Sequence, residues 1–203
     1  MDLNPIALQG RYVRLEPLRP DHAQGMFIAL AMDPTIWQWR PVEPPATLAG
    51  MEALVAAQLE VQARGNILPF AQVAQASGRV VGATAYLGIS HPDRAVEIGA
   101  TWLGRPWQRT GINTEAKYLL LEHAFEVLGT VRVQFRTDLR NLVSQRAIEG
   151  LGAVREGVFR QHMRTRGGIF RDSVFYSIVA EEWPAVKAQL RARMAFHEGQ
   201  LAG

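Results

Sequence analysis

The feature that most constrains this chain is a change of pattern near its middle. From Pro69 to Leu103 three β-type stretches follow one another: Pro69 to Gln75, Arg79 to Ile89 and Ala95 to Leu103. Only the turns Ala76-Ser77-Gly78 and His91-Pro92-Asp93 separate them. Strands this close in sequence pair as antiparallel neighbours. From Thr114 the pattern becomes helix, strand, helix, strand: Thr114 to Leu128, Val131 to Thr137, Asn141 to Leu151 and Ala153 to Met163. A last strand, Phe170 to Val179, precedes a helix from about Glu182 to His197. Antiparallel strands joined to β-α-β units predict one α+β (mixed α/β) fold: a mixed, mostly antiparallel central sheet of about seven strands flanked by helices.

Upstream, Leu8 to Pro17 alternates as a first strand. A helix capped by Asp21 carries Ala23, Met26, Phe27 and Leu30, the loop Thr35 to Pro45 holds two tryptophans, and Thr47 opens a second helix that ends at Gly65-Asn66. A chain of 203 residues buries one sizeable core, so a single domain is expected over residues 1–203, with its core in 8–183.

Composition removes several chemistries. The absence of cysteine excludes disulfides, thiolate metal sites and cysteine nucleophiles. His22, His91, His123, His162 and His197 show no ligand spacing, so no metal is expected. Gly150-Leu151-Gly152 ends a helix rather than opening one, the reverse of a dinucleotide loop. No apolar run is long enough to span a bilayer and the N-terminus has no signal-peptide pattern, so a cytoplasmic protein is expected. Net charge is +3, and Lys117 and Lys187 are the only lysines among 22 cations. Such an arginine-rich set suits an anionic ligand, while the lack of basic runs argues against nucleic acid.

The strongest local signal is Trp107-Gln108-Arg109-Thr110-Gly111-Ile112-Asn113-Thr114-Glu115-Ala116, between a strand and a periodic helix. Free N-H groups at a helix start, with Gly111 allowing close approach, bind phosphate oxygens. The bland alternative is a loop with Asn113 or Thr114 as N-cap. Glu115, which would repel a phosphate, is expected to face solvent.

This loop resembles the pyrophosphate-binding signature Q/R-x-x-G-x-G/A of GNAT acetyltransferases; Gln108 and Gly111 match and Asn113 departs at the last small position. Asn141-Leu142-Val143-Ser144 and Leu151-Gly152-Ala153 resemble the N-x-x-S helix and its ending in the RimJ/RimL-like branch, whose members acetylate protein N-terminal amino groups among other amines. With Glu97-Ile98-Gly99 and Arg171-Asp172-Ser173, the resemblance runs from about Leu8 to Trp183.

The resemblance implies acetyl-coenzyme A (acetyl-CoA) as donor and an amine as acceptor, without a covalent enzyme intermediate. Gln108, Arg109, Thr110, Gly111, Ile112, Asn113 and Thr114 would hold the pyrophosphate. The backbone of Trp102 and Leu103 would hold the pantetheine arm in a gap between splayed strands, with Asn141 and Ser144 near the thioester. Ser144 is the candidate general acid, unless Asn141 simply caps the helix and Ser144 bonds back to it.

Glu97 is the candidate base. Alternation puts it on one strand face with Gly99 and Thr101, opposite Val96, Ile98, Ala100 and Trp102. A structural Glu97 would instead pair with Arg79, Arg132 or Arg136. Trp37, Trp39 and Phe70 are candidates for the amine-binding wall, with core packing expected of at least one tryptophan. Arg164, Arg166 and Arg171 around Gly167-Gly168 read as a solvated hairpin tip, with contact to a partner or an acidic substrate as the alternative. The exposed edges of the last strands suit a homodimer.

Overall fold

The computed structural model describes residues 1 and 3–201, with side chains through Ala195, so the side chain of His197 lies outside the described residues. Among the described residues the strands are β1 (Leu8–Gln9), β2 (Val13–Pro17), β3 (Leu68–Ala74), β4 (Arg79–Ser90), β5 (Ala95–Leu103), β6 (Arg132–Asp138), β7 (Val154–Arg164) and β8 (Phe170–Val179). The helices are α1 (His22–Ala31), α2 (Leu48–Ala63), α3 (Ile112–Glu122), α4 (Leu142–Glu149) and α5 (Trp183–Leu201). The eight strands form one open sheet, β1-β2-β3-β4-β5-β6-β8-β7. Only β5 and β6 run parallel, so the α+β expectation holds.

The eighth strand arises because the stretch Leu8 to Pro17 is broken in two. The carboxylate of Glu115 accepts hydrogen bonds from the backbone N-H groups of Arg11 (2.8 Å), Tyr12 (2.6 Å) and Val13 (2.8 Å). A buried carboxylate must be satisfied, and these three amides do it at the break between β1 and β2. Glu115 is therefore buried and turned away from solvent, against the expectation for it.

Thr47 caps α2 as its sequence predicts, accepting from the N-H of Gly50. Asp21 holds the N-cap position of α1 but makes no cap hydrogen bond, and its carboxylate bonds Arg19 instead.

The sheet has two packed faces, set by the period-2 alternation of its strands. Phe70, Tyr86, Ile98, Phe135 and Tyr176 lie on one face in a core shared with Leu120 and Leu121 of α3 and Leu190 of α5. Ala71, Ala83 and Trp102 lie on the other face with Met26 and Leu30 of α1 and Met51 and Val55 of α2. Among the described residues no helix is long and apolar enough to cross a membrane.

Candidate active site

The site begins where the two central strands part. β5 pairs with β6 only over Ala95 to Glu97, opposite Arg132 to Gln134, and both strands then continue without pairing. On its other edge β5 stays on β4, but Gly99 faces Ala85 and Trp102 faces Ala83, so Ala100 and Thr101 together oppose Thr84 alone. This is a β-bulge. Ala100 sits in the left-handed region at φ 52°, which costs a non-glycine residue about 1 kcal/mol or more.

The extra residue reverses the alternation. Thr101 turns toward α3, while Trp102 turns to the α1 and α2 side against Trp37 (ring centroids 5.4 Å apart). The sequence expectation that grouped Thr101 with Glu97 and Gly99 is thus corrected.

Two cations with no ion-pair partner among the described residues flank the bulge. From the loop between α1 and α2, Arg40 donates to the carbonyl of Ala100 (2.7 Å) with its guanidinium over the Trp37 ring (4.6 Å). From α3, Lys117 donates to the hydroxyls of Thr84 (3.1 Å) and Thr101, which are 2.9 Å from each other. Burial pulls the pKa of Arg40 down to about 10 and that of Lys117 down to about 7.

Neither residue stood out in sequence. A signal for Lys117 existed: it shares the core-facing side of α3 with Leu121, four residues on, a place where charge is rare. Between pH 7 and about 10.4 the unfolded chain holds a proton on this lysine that the folded chain has released. Wild-type stability relative to Lys117→Met therefore rises with pH across that window, with a slope of at most about 1.4 kcal/mol per pH unit. Chemical denaturation of both proteins at pH 7, 8.5 and 10 measures it; a pH-independent difference would mean that Lys117 stays charged when folded.

At the end of β5 the chain turns through Arg105–Trp107 into α3. Gln108 donates to the carbonyl of Leu103 (3.1 Å) and the Thr110 hydroxyl to that of Trp107 (2.7 Å), which fixes the loop from within. Arg109 is exposed, at φ 63°. Gly111, at φ 82°, occupies the N-cap position, and no side chain caps the helix. This corrects the alternative in which Asn113 or Thr114 would cap it. The first N-H groups of α3 carry the positive end of the helix dipole with no side-chain acceptor on them, the requirement for a phosphate cradle. Ile112 and Thr114 are buried behind them and Asn113 is half-buried.

The carbonyl of Trp102 accepts from the Gln72 side chain (3.2 Å), and that of Leu103 is held by Gln108. Asn141 caps α4, accepting from the N-H of Ser144 (3.1 Å). The Ser144 hydroxyl makes no hydrogen bond among the described residues and is half-buried. Trp37 and Phe70 are fully buried, and Phe70 packs on the α3 face of the sheet, as core residues do. Trp39, half-buried with Arg140 over its ring (5.5 Å), is not enclosed in this way.

Glu97 stands at the apex where β5 and β6 separate. Its carboxylate accepts from Arg136 Nε (2.9 Å) and Gln134 Nε2 (3.3 Å) and folds over Gly99, where a Cβ would lie 2.9 Å from Oε1. Of the three arginines weighed as partners, Arg136 is the one that pairs. Burial raises the pKa of Glu97, and Arg136 only partly offsets it.

A bulged sheet with two parted central strands, an uncapped helix start below the gap and a carboxylate at its apex defines the class of acyl-CoA N-acyltransferases. The chain belongs to the GNAT acetyltransferase family, whose domain matches residues 13–154. A solved structure from T. thermophilus, provisionally assigned as an acetyltransferase, is 41% identical. It superimposes with a TM-score of 0.84 over 95% of this chain and 99% of that one. YdaF of Bacillus subtilis, whose name assigns it provisionally as a ribosomal N-acetyltransferase, is 30% identical over 110 residues, 54% of this chain. RimJ of Mycobacterium smegmatis, solved with CoA-disulfide, shares the fold (TM-score 0.78) at 23% identity over 94% of this chain and 93% of that one. The chain spans 59% and 52% of the lengths of the two Bacillus subtilis curated relatives it matches.

Proposed function

We propose that this protein transfers an acetyl group from acetyl-CoA to a primary amine, with a protein or peptide N-terminal amino group as the acceptor. The observation that carries the reading is the side-chain-free start of α3 at Gly111, adjoining the gap between β5 and β6. The residues fit the donor: α3 amides and Gly111 for the pyrophosphate, and the open edge of β5 for an extended arm that adds like a strand.

Acetyl-CoA, when bound, supplies the activated acetyl thioester. Glu97 takes the proton from the acceptor ammonium, directly or through water, and its burial-raised pKa makes it a better base. An α-amino group with pKa about 7.7–8.0 is far easier to deprotonate than a lysine at about 10.4, which favours an N-terminal acceptor. Backbone donors near Trp102 polarise the acyl oxygen, and Ser144, with its hydroxyl unengaged, gives a proton to the departing sulfur.

A ligand that binds only the folded state raises apparent stability, by about 2.7 kcal/mol at 100 times its dissociation constant. Coenzyme A and desulfo-coenzyme A are both expected to raise the melting temperature. Thiol release is then followed across N-terminal peptides and small amines. Donor binding without turnover on any amine would leave a non-catalytic acyl-CoA-binding module, and turnover confined to small amines would move the acceptor class.

A further inference from the structure

The face of the sheet that carries Glu97 also carries the side chains of Arg136 and Asp138 from β6 and of Arg171, Ser173 and Phe175 from β8. The register makes Arg136 the partner of Phe175, and Asp138 the partner of Ser173. Their charges nearly cancel in pairs. Glu97 bonds Arg136 at 2.9 Å and Asp138 bonds Arg140 at 2.8 Å.

Arg171 is the charge left over. It is buried, 8% exposed, yet among the described residues no carboxylate lies within ion-pairing distance of it. Its one side-chain hydrogen bond runs from Nε to the hydroxyl of Ser173 (3.0 Å). That hydroxyl is also 3.0 Å from His162 Nδ1, so Ser173 is occupied on both sides and fixes the guanidinium plane. The two terminal nitrogens, the fork that binds a carboxylate bidentately, make no hydrogen bond among the described residues. The sequence reading of Arg171 as part of a solvated tip is thereby corrected.

Burying a guanidinium without a counter-ion is costly, and arginine does not escape by losing its proton. The surroundings relieve it only in part: burial lowers its pKa, Asp138 and Glu97 work against that from beyond ion-pairing distance, and Arg136 and Arg140 add repulsion. Burial lowers the pKa of His162, and the same positive field adds to this through Arg136 and Arg171. Beside this group the rings of Phe159 and Phe175 pack at a tilt of 35° (centroids 4.3 Å), with His162 edge-on to Phe175 (5.1 Å). A cleft of about 650 Å³ lined by Phe159, Arg160, Gln161 and His162 opens there. Arg171 also acts on the charge of Glu97, so it stands within electrostatic reach of the proposed base.

We infer that Arg171 is an acceptor-binding residue, and that the amine this protein acetylates carries a carboxylate that pairs with the open fork of Arg171. The inference rests on the acetyl-transfer reading above. An anion on Arg171 supplies the direct ion pair that the guanidinium lacks among the described residues and holds the acceptor on the Glu97 face of the sheet, with the aromatic pair as an apolar wall. The carboxylate comes either from an acidic residue near the N-terminus of a peptide or from the α-carboxylate of a free amino acid.

The experiment measures kcat/KM for matched acceptors with acetyl-CoA and thiol release. One arm compares peptides that differ only in Asp or Glu against Asn or Gln at the second or third position. The other compares free amino acids with their amides. The expected result is a preference of about tenfold or more for the carboxylate member in one arm, read mainly in KM, as a charge-assisted hydrogen bond gives. That arm identifies the source. In Arg171→Gln the ratio falls toward one, with melting temperature and coenzyme A affinity measured alongside to establish folding. Equal rates within both wild-type pairs overturn the inference and leave acetyl transfer standing, and so does a preference that survives in Arg171→Gln. If no acceptor of either kind is acetylated while coenzyme A binds, the acetyl-transfer reading falls, and the inference with it.

Discussion

Glu97→Gln lowers turnover roughly 10²- to 10⁴-fold near neutral pH, the usual worth of a general base, and leaves the affinity for coenzyme A in place. Glutamine keeps the size of the side chain and its acceptor oxygen toward Arg136 Nε (2.9 Å in the wild type) and Gln134, but it cannot take a proton. The pH profile separates this role from a structural one. As pH rises past the acceptor's own pKa, the amine arrives already deprotonated, so the deficit of the variant shrinks.

A Glu97 that served only to neutralise Arg136 would behave differently. Its removal would leave Arg136 beside Arg171 without a counter-charge, lower the melting temperature, and give a turnover loss that does not change with pH. Stopped-flow or steady-state rates from pH 6 to 9.5, with melting curves of both proteins, decide between the two. Unchanged turnover would assign the proton to water or to another group.

Gly111→Asp abolishes donor binding while leaving the fold intact. Position 111 is the N-cap of α3 at φ 82°, a left-handed conformation that aspartate tolerates better than most residues. An added Cβ meets only the Tyr12 ring, at 3.7 Å, an ordinary contact. The carboxylate, however, caps the helix N-terminus that a pyrophosphate would use and adds like-charge repulsion. Charge-assisted hydrogen bonds are worth about 1.5–3 kcal/mol each, so losing two of them costs at least about 10²-fold in affinity. Calorimetric titration with coenzyme A measures it. A folded variant with wild-type affinity would put the phosphate site elsewhere.

The contiguous part of this architecture was legible in the sequence. β5 and β8 have the bounds that alternation gives them, and β3, β4, β6 and β7 differ by a residue at either end, because strand pattern and turn chemistry are local. The loop from β5 into α3 was legible for the same reason: strand, glycine and helix start lie within a dozen residues. Glu97 became a candidate through its strand position beside Gly99 and Ser144 through family resemblance, but residue type alone assigns neither a role, since a carboxylate on a strand and a serine in a helix start have many bland uses. The hydrogen bond of Asn141 to the Ser144 amide is one of those uses, and it coexists with a free hydroxyl on Ser144.

What the sequence by itself determined is the order of elements, the antiparallel-to-β-α-β switch and a helix start next to a glycine. Only the tertiary structure decided which charges are compensated. Glu115 reads as solvent-facing until the amides of residues 11–13, more than a hundred positions away, come within 2.8 Å. One left-handed residue, Ala100, reverses the side-chain alternation after it and delivers Thr101 to Lys117. No pattern of residue types reveals such a bulge, because it is a choice of register between two strands. The pairing of Glu97 with Arg136, and the isolation of Arg171 beside them, likewise depend on β6 lying between β5 and β8. Electrostatic compensation is set by distance and burial, and these exist only once strands far apart in sequence have become neighbours.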